Sequence, residues 1–266
     1  MKIAHLSDIH FGRIAHPHIL DALLRDVEQA GVDLVAVSGD LTQRALPRQF
    51  EEAVAYLNKF KMPRIVVPGN HDVYPWWNPY SRLRKPVARY KQFFGDDLFP
   101  SFETENFALF GINSAHGLTI KGGKITPVIL RAIKDYFENL PHHVFKVLML
   151  HHHLIPVDAL QPHDISVFGP NTFQVAVDLG IDLILCGHVH LSHVETLATE
   201  KEKKPVIASA GTATSDRGRR SNRNRNLYNL IEVLPEQFTI RERAYQPEDQ
   251  CFVTERESTF DRRKWL

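Results

Sequence analysis

Cysteine is scarce in this chain of 266 residues. Cys186 and Cys251 are too few for a disulfide framework, which points to a reducing compartment. Charge of one sign is lacking as well. Lys and Arg number 32 against 31 Asp and Glu, a formal net charge of +1. No global field therefore draws the chain to nucleic acid or an anionic membrane. No apolar run approaches the roughly 20 residues that cross a bilayer. The opening Met1-Lys2-Ile3 reaches Ser7 and Asp8 too soon for the apolar region of a signal peptide, and a cytoplasmic location is expected. Internal repeats and low-complexity tracts are absent, which excludes disorder, collagen and coiled coil as descriptions of the whole. Histidine, by contrast, is abundant: 15 residues, many beside Asp, Asn or Gly. Such neighbours suit metal or acid–base chemistry. Histidines scattered over core and surface are the bland alternative, and position decides between the two.

The first half alternates strand-like and helix-like stretches. Residues 2–7 form a short apolar run and read as a strand. Pro17 opens a helix whose apolar face carries Ile19, Leu20, Leu23, Leu24 and Val27, with Gly31 at its end. Residues 33–38 are the second strand, 47–60 the second helix and 64–68 the third strand. This βαβαβ order implies parallel strands with right-handed crossovers, buried on both faces. Residues 107–113, 145–150 and 182–186 are further strands, and 126–139 and 170–179 further helices. From 194 to 245 the pattern gives strands and turns only. The expectation is one α/β domain over residues 1–246 with a second, more antiparallel sheet, then a polar arm over 247–266. In that arm Phe252, Phe260 and Trp265 offer anchors to the body or to a second subunit in a homo-oligomer.

Ligands of parallel α/β sheets bind beyond the carboxyl ends of the strands. Here those ends read Asp8-Ile9-His10, Gly39-Asp40, Gly69-Asn70-His71-Asp72, His151-His152-His153 and Gly187-His188-Val189-His190. Each group alone has an ordinary explanation as a cap, a turn or a solvated loop. All five falling at what should be one sheet edge do not. Carboxylates can bridge two cations, and imidazole or carboxamide ligands favour Mn, Fe, Co, Ni or Zn over Mg or Ca. Glycine before Asp40, Asn70 and His188 permits sharp turns and close backbone approach.

In that order the five groups resemble the calcineurin-like metallophosphoesterase superfamily, over residues 2 to about 211. Within it the chain is nearest to the bacterial class III cyclic-nucleotide and glycerophosphodiester phosphodiesterases. The resemblance implies a four-layer β-sandwich flanked by helices, with the metal site at the carboxyl ends of the strands. It implies two divalent ions, Mn or Fe foremost and Zn, Co or Ni as alternatives. Asp8, His10 and His190 would hold the first, and Asn70, His151 and His188 the second, with Asp40 bridging. A metal-bound hydroxide would attack phosphorus. His71 would bind no metal and would protonate the leaving oxygen or stabilise charge, and Asp72 would orient that imidazole or merely cap the loop. His152 would stand beside the site or face the substrate, and His153 would be solvated or packed. His153-Leu154 stands where relatives commonly carry proline.

The implied substrate is a small phosphodiester of cyclic-nucleotide or glycerophosphodiester type. The alternatives are a nuclease, a lipid-phosphoester hydrolase and an inactive protein-binding scaffold. None of the five groups contains Lys or Arg; Arg13 and Arg44 lie just past the first two. Two metals and imidazoles alone match a monoanionic diester better than a dianionic monoester, unless a folded-back Arg219 or Arg220 supplies a cation. Arg217, Arg219, Arg220, Arg223 and Arg225 form a basic patch, either a phosphate or nucleic-acid contact or a solvated hairpin tip. Tyr74, Trp76, Trp77 and Tyr80 are either a lid or base-stacking platform, or a small satellite core.

Overall fold

The computed structural model describes residues 1–119, 121–157, 164–197, 204–218 and 225–262. β1 (Lys2–Leu6), α1 (Ile19–Ala30), β2 (Leu34–Ser38), α2 (Pro47–Leu57) and β3 (Arg64–Val67) make the expected βαβαβ start. There follow α3 (Pro79–Arg84), α4 (Ala88–Phe94), β4 (Ser101–Thr104), β5 (Phe107–Gly111), α5 (Pro127–Phe137) and β6 (Phe145–Met149). The chain continues through α6 (Gly169–Asp178), β7 (Leu183–Cys186), β8 (His193–Thr196) and β9 (Val206–Ser209). It closes with β10 (Leu227–Val233), β11 (Gln237–Gln246) and β12 (Cys251–Asp261). Local signals set the helix starts. At α5, Thr126 accepts a hydrogen bond from the Ile129 amide and Pro127 occupies the first turn. The short α3 and α4 lie in the aromatic stretch, where the apolar periodicity is too brief to read.

The strands form two six-stranded sheets, ordered β12-β11-β10-β1-β2-β3 and β4-β5-β6-β7-β9-β8. Both are mixed. The antiparallel carboxyl-terminal strands do not build a separate sheet. β10 pairs antiparallel with β1, Lys2 opposite Glu232, and so extends the first sheet along the edge that the β1-β2-β3 crossovers leave open. The end of the chain, read as a polar arm, supplies the edge strand β12, with Phe252 buried against Tyr228 and Tyr245.

The sheets pack face to face, and alternation along each strand assigns every residue a layer. Ile3, Leu34 and Ala36 of the first sheet meet Val147, Met149 and Leu185 of the second between the sheets. Ala4, Val35 and Val37 face outward onto α1, α2 and α4. Leu148 and Ile184 face outward onto α5 and α6. The result is the expected four-layer sandwich with helices outside. Its consequence for the site is a correction: the five polar strand ends belong to two facing sheets, β1, β2 and β3 of one and β6 and β7 of the other, and meet at their shared end. Among the described residues no helix is long and apolar enough to cross a membrane.

Candidate metal centre

The loops that follow these strands are bent hard. Asp8, His10, Asp40, His188 and His190 all have left-handed backbone, with φ of 53°, 52°, 53°, 72° and 57°. Side chains at such φ carry strain that surrounding contacts must hold, and strain of this kind gathers at functional sites. Two glycines make room. A Cβ at Gly69 would lie 2.2 Å from Asp40 Oδ1, and one at Gly187 would lie 1.8 Å from Ser7 Oγ and 2.7 Å from Asp8 Oδ2. The expected close approach is real at both positions.

The imidazoles are oriented alike. His10 Nδ1 lies 3.2 Å from the Thr42 carbonyl, His151 Nδ1 2.7 Å from the Ser38 carbonyl, and His190 Nδ1 2.7 Å from the Arg217 carbonyl. A carbonyl only accepts, so each ring donates through Nδ1 and turns Nε2 inward. The carboxylates turn one oxygen outward and one inward. Asp8 Oδ2 accepts from Ser7 Oγ at 2.6 Å and from the His188 amide at 3.0 Å. Asp40 Oδ1 accepts from the His71 amide at 2.8 Å. Among the described residues, Asp8 Oδ1 and Asp40 Oδ2 are buried without a hydrogen-bond partner. His190 Nε2 is 3.0 Å from the former and His151 Nε2 3.4 Å from the latter. Buried polar atoms left in this way are costly unless a cation satisfies them. The donor set therefore fits metal. Ligand atoms of Asp8, His10, Asp40 and His190 all lie within 4.8 Å of one another.

A second group lies alongside. His151, His152 and His188 each offer a ring nitrogen, again within 4.8 Å of one another. Asn70 Oδ1 is 3.2 Å from His151 Nε2 and 2.9 Å from His188 Nδ1, so the carboxamide faces this group. His152 is fully buried, which removes it from a place facing substrate; Ser114 Oγ is 2.9 Å from its Nδ1, and its Nε2 has no hydrogen-bond partner. His153 is buried and bonded to Ser209 Oγ at 2.6 Å, a packing position.

Electrostatics agree with a cation-seeking site. Burial alone would raise the carboxyls of Asp8 and Asp40, yet both sit well below the usual range. His190 and His10 do this at Asp8, and His151 and His71 at Asp40. At His151 burial is likewise outweighed, by Asp40 and Asp8, and the ring is raised to about 9. The pocket draws positive charge onto this nitrogen.

His71 stands at the open side. Its Nδ1 lies 2.8 Å from the Gln43 carbonyl and its Nε2 2.8 Å from Arg217 Nη1. Burial lowers the ring to about 4, so it is neutral at pH 7 with Nδ1 donating to Gln43, and the guanidinium nitrogen lies against the ring, 2.8 Å from Nε2 and 3.3 Å from Nδ1. Asp72 does not touch this ring. Its oxygens accept from the amides of Gly69, Leu41 and Thr42 and from Thr42 Oγ1, at 2.9–3.1 Å, clasping the β2 and β3 loops together. Of the two roles read for Asp72, the geometry is that of the cap. Burial, followed by the charge of Asp40, raises its carboxyl to about 7.

Asp40, Asn70, His71, His188, His190 and Arg217 line a cavity of about 380 Å³, which Arg44, Trp76 and Trp77 also border. Of the other two cations considered, Arg13 pairs with Asp216 at 2.8 Å and Arg44 lies over the Trp77 ring. Arg219 and Arg220 fall outside the described residues. The cation beside the site is Arg217, which no motif marks; its only sequence signal is membership of the arginine cluster. The sequence reading also missed the carbonyls of Ser38, Thr42 and Arg217 that orient the rings, because a carbonyl has no signature in the sequence.

The profile of the calcineurin-like phosphoesterase family matches residues 1–192. An uncharacterised metallophosphoesterase of Helicobacter pylori is 24% identical over 202 residues, covering 73% of this chain and 45% of that protein. The 3′,5′-cyclic adenosine monophosphate phosphodiesterase CpdA of Escherichia coli K12 is 23% identical over 203 residues, covering 71% of this chain and 70% of that enzyme. A probable cyclic nucleotide phosphodiesterase of Coxiella burnetii is 23% identical over 216 residues, covering 74% and 80%. Among solved structures, the purple acid phosphatase PPD1 of yellow lupin superposes with a TM-score of 0.75 at 10% identity, covering 98% of this chain and 53% of that one. The chain thus spans less than half of the Helicobacter relative and about half of the lupin phosphatase, and the structural likeness is one of fold.

Proposed function

This chain belongs to the calcineurin-like phosphoesterase family, and we propose that it is a dinuclear metal-dependent phosphodiesterase acting on a small phosphodiester. One observation carries the reading: two buried carboxylate oxygens, Asp8 Oδ1 and Asp40 Oδ2, without a hydrogen-bond partner among the described residues, face ring nitrogens of His10 from the first sheet and of His151 and His190 from the second. Asp8, His10 and His190 would hold one ion, Asn70, His151 and His188 the other, and Asp40 both. Imidazole-rich donors favour Mn, Fe, Zn, Co or Ni over Mg. When bound, two such ions supply Lewis-acid polarisation of a phosphoryl oxygen and a water of lowered pKa.

The chain's own residues do the rest. The Nδ1–H bonds to backbone carbonyls fix ring tautomer and direction, so the inward nitrogens are ready without rearrangement. Asp72 keeps the loops bearing Asp40 and Asn70 in register. Arg217 brings a permanent charge and a planar fork suited to phosphoryl oxygens, and the His71 ring packs against it. Its presence removes the charge argument that separated diesters from monoesters, since the site does hold a cation. The diester reading is supported instead by the relatives of E. coli and C. burnetii, which are named for cyclic nucleotides and align over most of their length.

The test is hydrolysis by Mn²⁺-loaded protein of a panel that includes bis-p-nitrophenyl phosphate, p-nitrophenyl phosphate and a 3′,5′-cyclic nucleotide. Diesters should be cleaved with the higher kcat/KM and chelation should abolish it. Turnover confined to the monoester overturns the diesterase reading.

A further inference from the structure

Two large apolar side chains stand in the open beside the metal centre. Trp76 is 49% and Trp77 65% exposed, and both border the cavity that holds His71 and Arg217. Of the aromatic stretch, only Tyr74 is buried as a satellite core would require, with Arg89 over its ring. Two neighbouring indoles at the rim of a polar cavity offer large apolar faces with a polar edge to whatever enters it.

The indoles have a built support. Arg82 is 3% exposed, and its guanidinium donates to the carbonyls of Tyr74, Gly117 and Thr119 at 2.6, 2.9 and 2.8 Å. The same guanidinium lies 4.1 Å from the Trp76 ring centroid. A buried charge needs hydrogen-bond partners, and here each guanidinium nitrogen donates to a carbonyl, the three carbonyls coming from two loops. The bonds tie the segment after β3 to the segment after β5 and fix the plane on which Trp76 rests. Arg44 lies 5.9 Å from the Trp77 ring.

We propose that Trp76 and Trp77, with Arg82 as their support, are a stacking subsite for the base of a nucleotide phosphodiester. This rests on the phosphodiesterase reading above and narrows its substrate class. The surroundings choose among occupants. An aromatic cage also suits a quaternary ammonium, but Arg44, Arg82, Lys121 and Arg217 border the same cavity against two carboxylates, Asp40 and Asp164, an excess of positive charge that disfavours a cationic head group. A flexible polyol head group offers no flat π-face to the indoles. A base offers a π-face to the indoles while its phosphate meets the cationic, metal-binding end.

The test compares 3′,5′-cyclic AMP with glycerophosphoglycerol, a diester with an alkoxide leaving group and no ring. The read quantity is the ratio of the two kcat/KM values. Wild type should favour the nucleotide. Trp77→Ala should lower the ratio about tenfold, the scale of losing one base stack, through KM for the nucleotide. Trp77→Phe should restore most of it. An unchanged ratio in Trp77→Ala overturns the subsite. If neither diester is hydrolysed, the phosphodiesterase reading fails but the subsite is still decided by binding. Titration with 5′-AMP and ribose 5-phosphate should show tighter AMP binding that Trp77→Ala removes, and equal affinities in wild type overturn it.

Discussion

Arg217 Nη1 lies 2.8 Å from His71 Nε2, while His71 Nδ1 lies 2.8 Å from the Gln43 carbonyl. The imidazole therefore holds a guanidinium at the cavity that Asp40 also lines, and its first task is positioning. Removing a donor aimed at developing charge costs about 10²–10³ in rate. Arg217→Gln should lower kcat/KM on that scale, and more on p-nitrophenyl phosphate than on its bis-ester, because the monoester carries the extra charge.

His71→Ala should keep its full metal content and lose about 10²-fold or more in turnover. If the ring acts through Arg217, the double variant should be little worse than the worse single one, with a coupling close to the smaller single loss, about 3 kcal/mol for 10²-fold. Full additivity would mean that the two side chains act separately, with His71 serving as an independent proton donor.

The histidine run offers a sharper assignment. Asn70 Oδ1 reaches His151 and His188, whereas His152 is anchored on Ser114 and packs its ring 4.7 Å from that of His188. His151→Ala should lose one ion outright. His152→Ala should retain both at about 10- to 100-fold weaker affinity, the scale for a group that supports a ligand. Complete loss of an ion from His152→Ala would make it a ligand.

Acid stability tests the buried layer behind the site. His5 is fully buried between Ser38 Oγ at 2.9 Å and Asn229 Nδ2 at 3.3 Å. Burial, only partly offset by Asp8, lowers its ring from 6.5 to about 3. Between those values the unfolded chain binds a proton that the folded chain does not, so stability falls as pH drops through 6.5 toward 3. The slope is about 1.4 kcal/mol per pH unit for one such group. His5→Gln, which lacks this group, should show a shallower decline in urea-unfolding free energy from pH 6.5 to 4. Parallel curves would contradict it.

Much of this was legible from the chain. The strand ends at Asp8, Asp40, Asn70, His151 and His188 were readable because apolar runs stop at glycine or a polar ligand type, and parallel crossovers place those ends together. That two sheets share them was not legible, since strand order is set by long-range pairing such as Lys2 with Glu232, which no local pattern records. Nor was the left-handed backbone at His10 or His190, where tertiary contacts override residue preference. Arg217 lies 27 residues beyond His190, and only the returning chain brings it to His71.

Metal stoichiometry addresses the central claim most directly. Protein stripped with chelator, reloaded with Mn²⁺ and freed of excess ion is measured for bound metal per chain, alongside Asp40→Ala. Asp40 Oδ2 faces both His10 and His151, at 3.6 and 3.4 Å, and so stands between the two groups of ligands. The account predicts two ions in wild type and one or none in Asp40→Ala. A wild type that binds fewer than two, or an Asp40→Ala that keeps both, would contradict it.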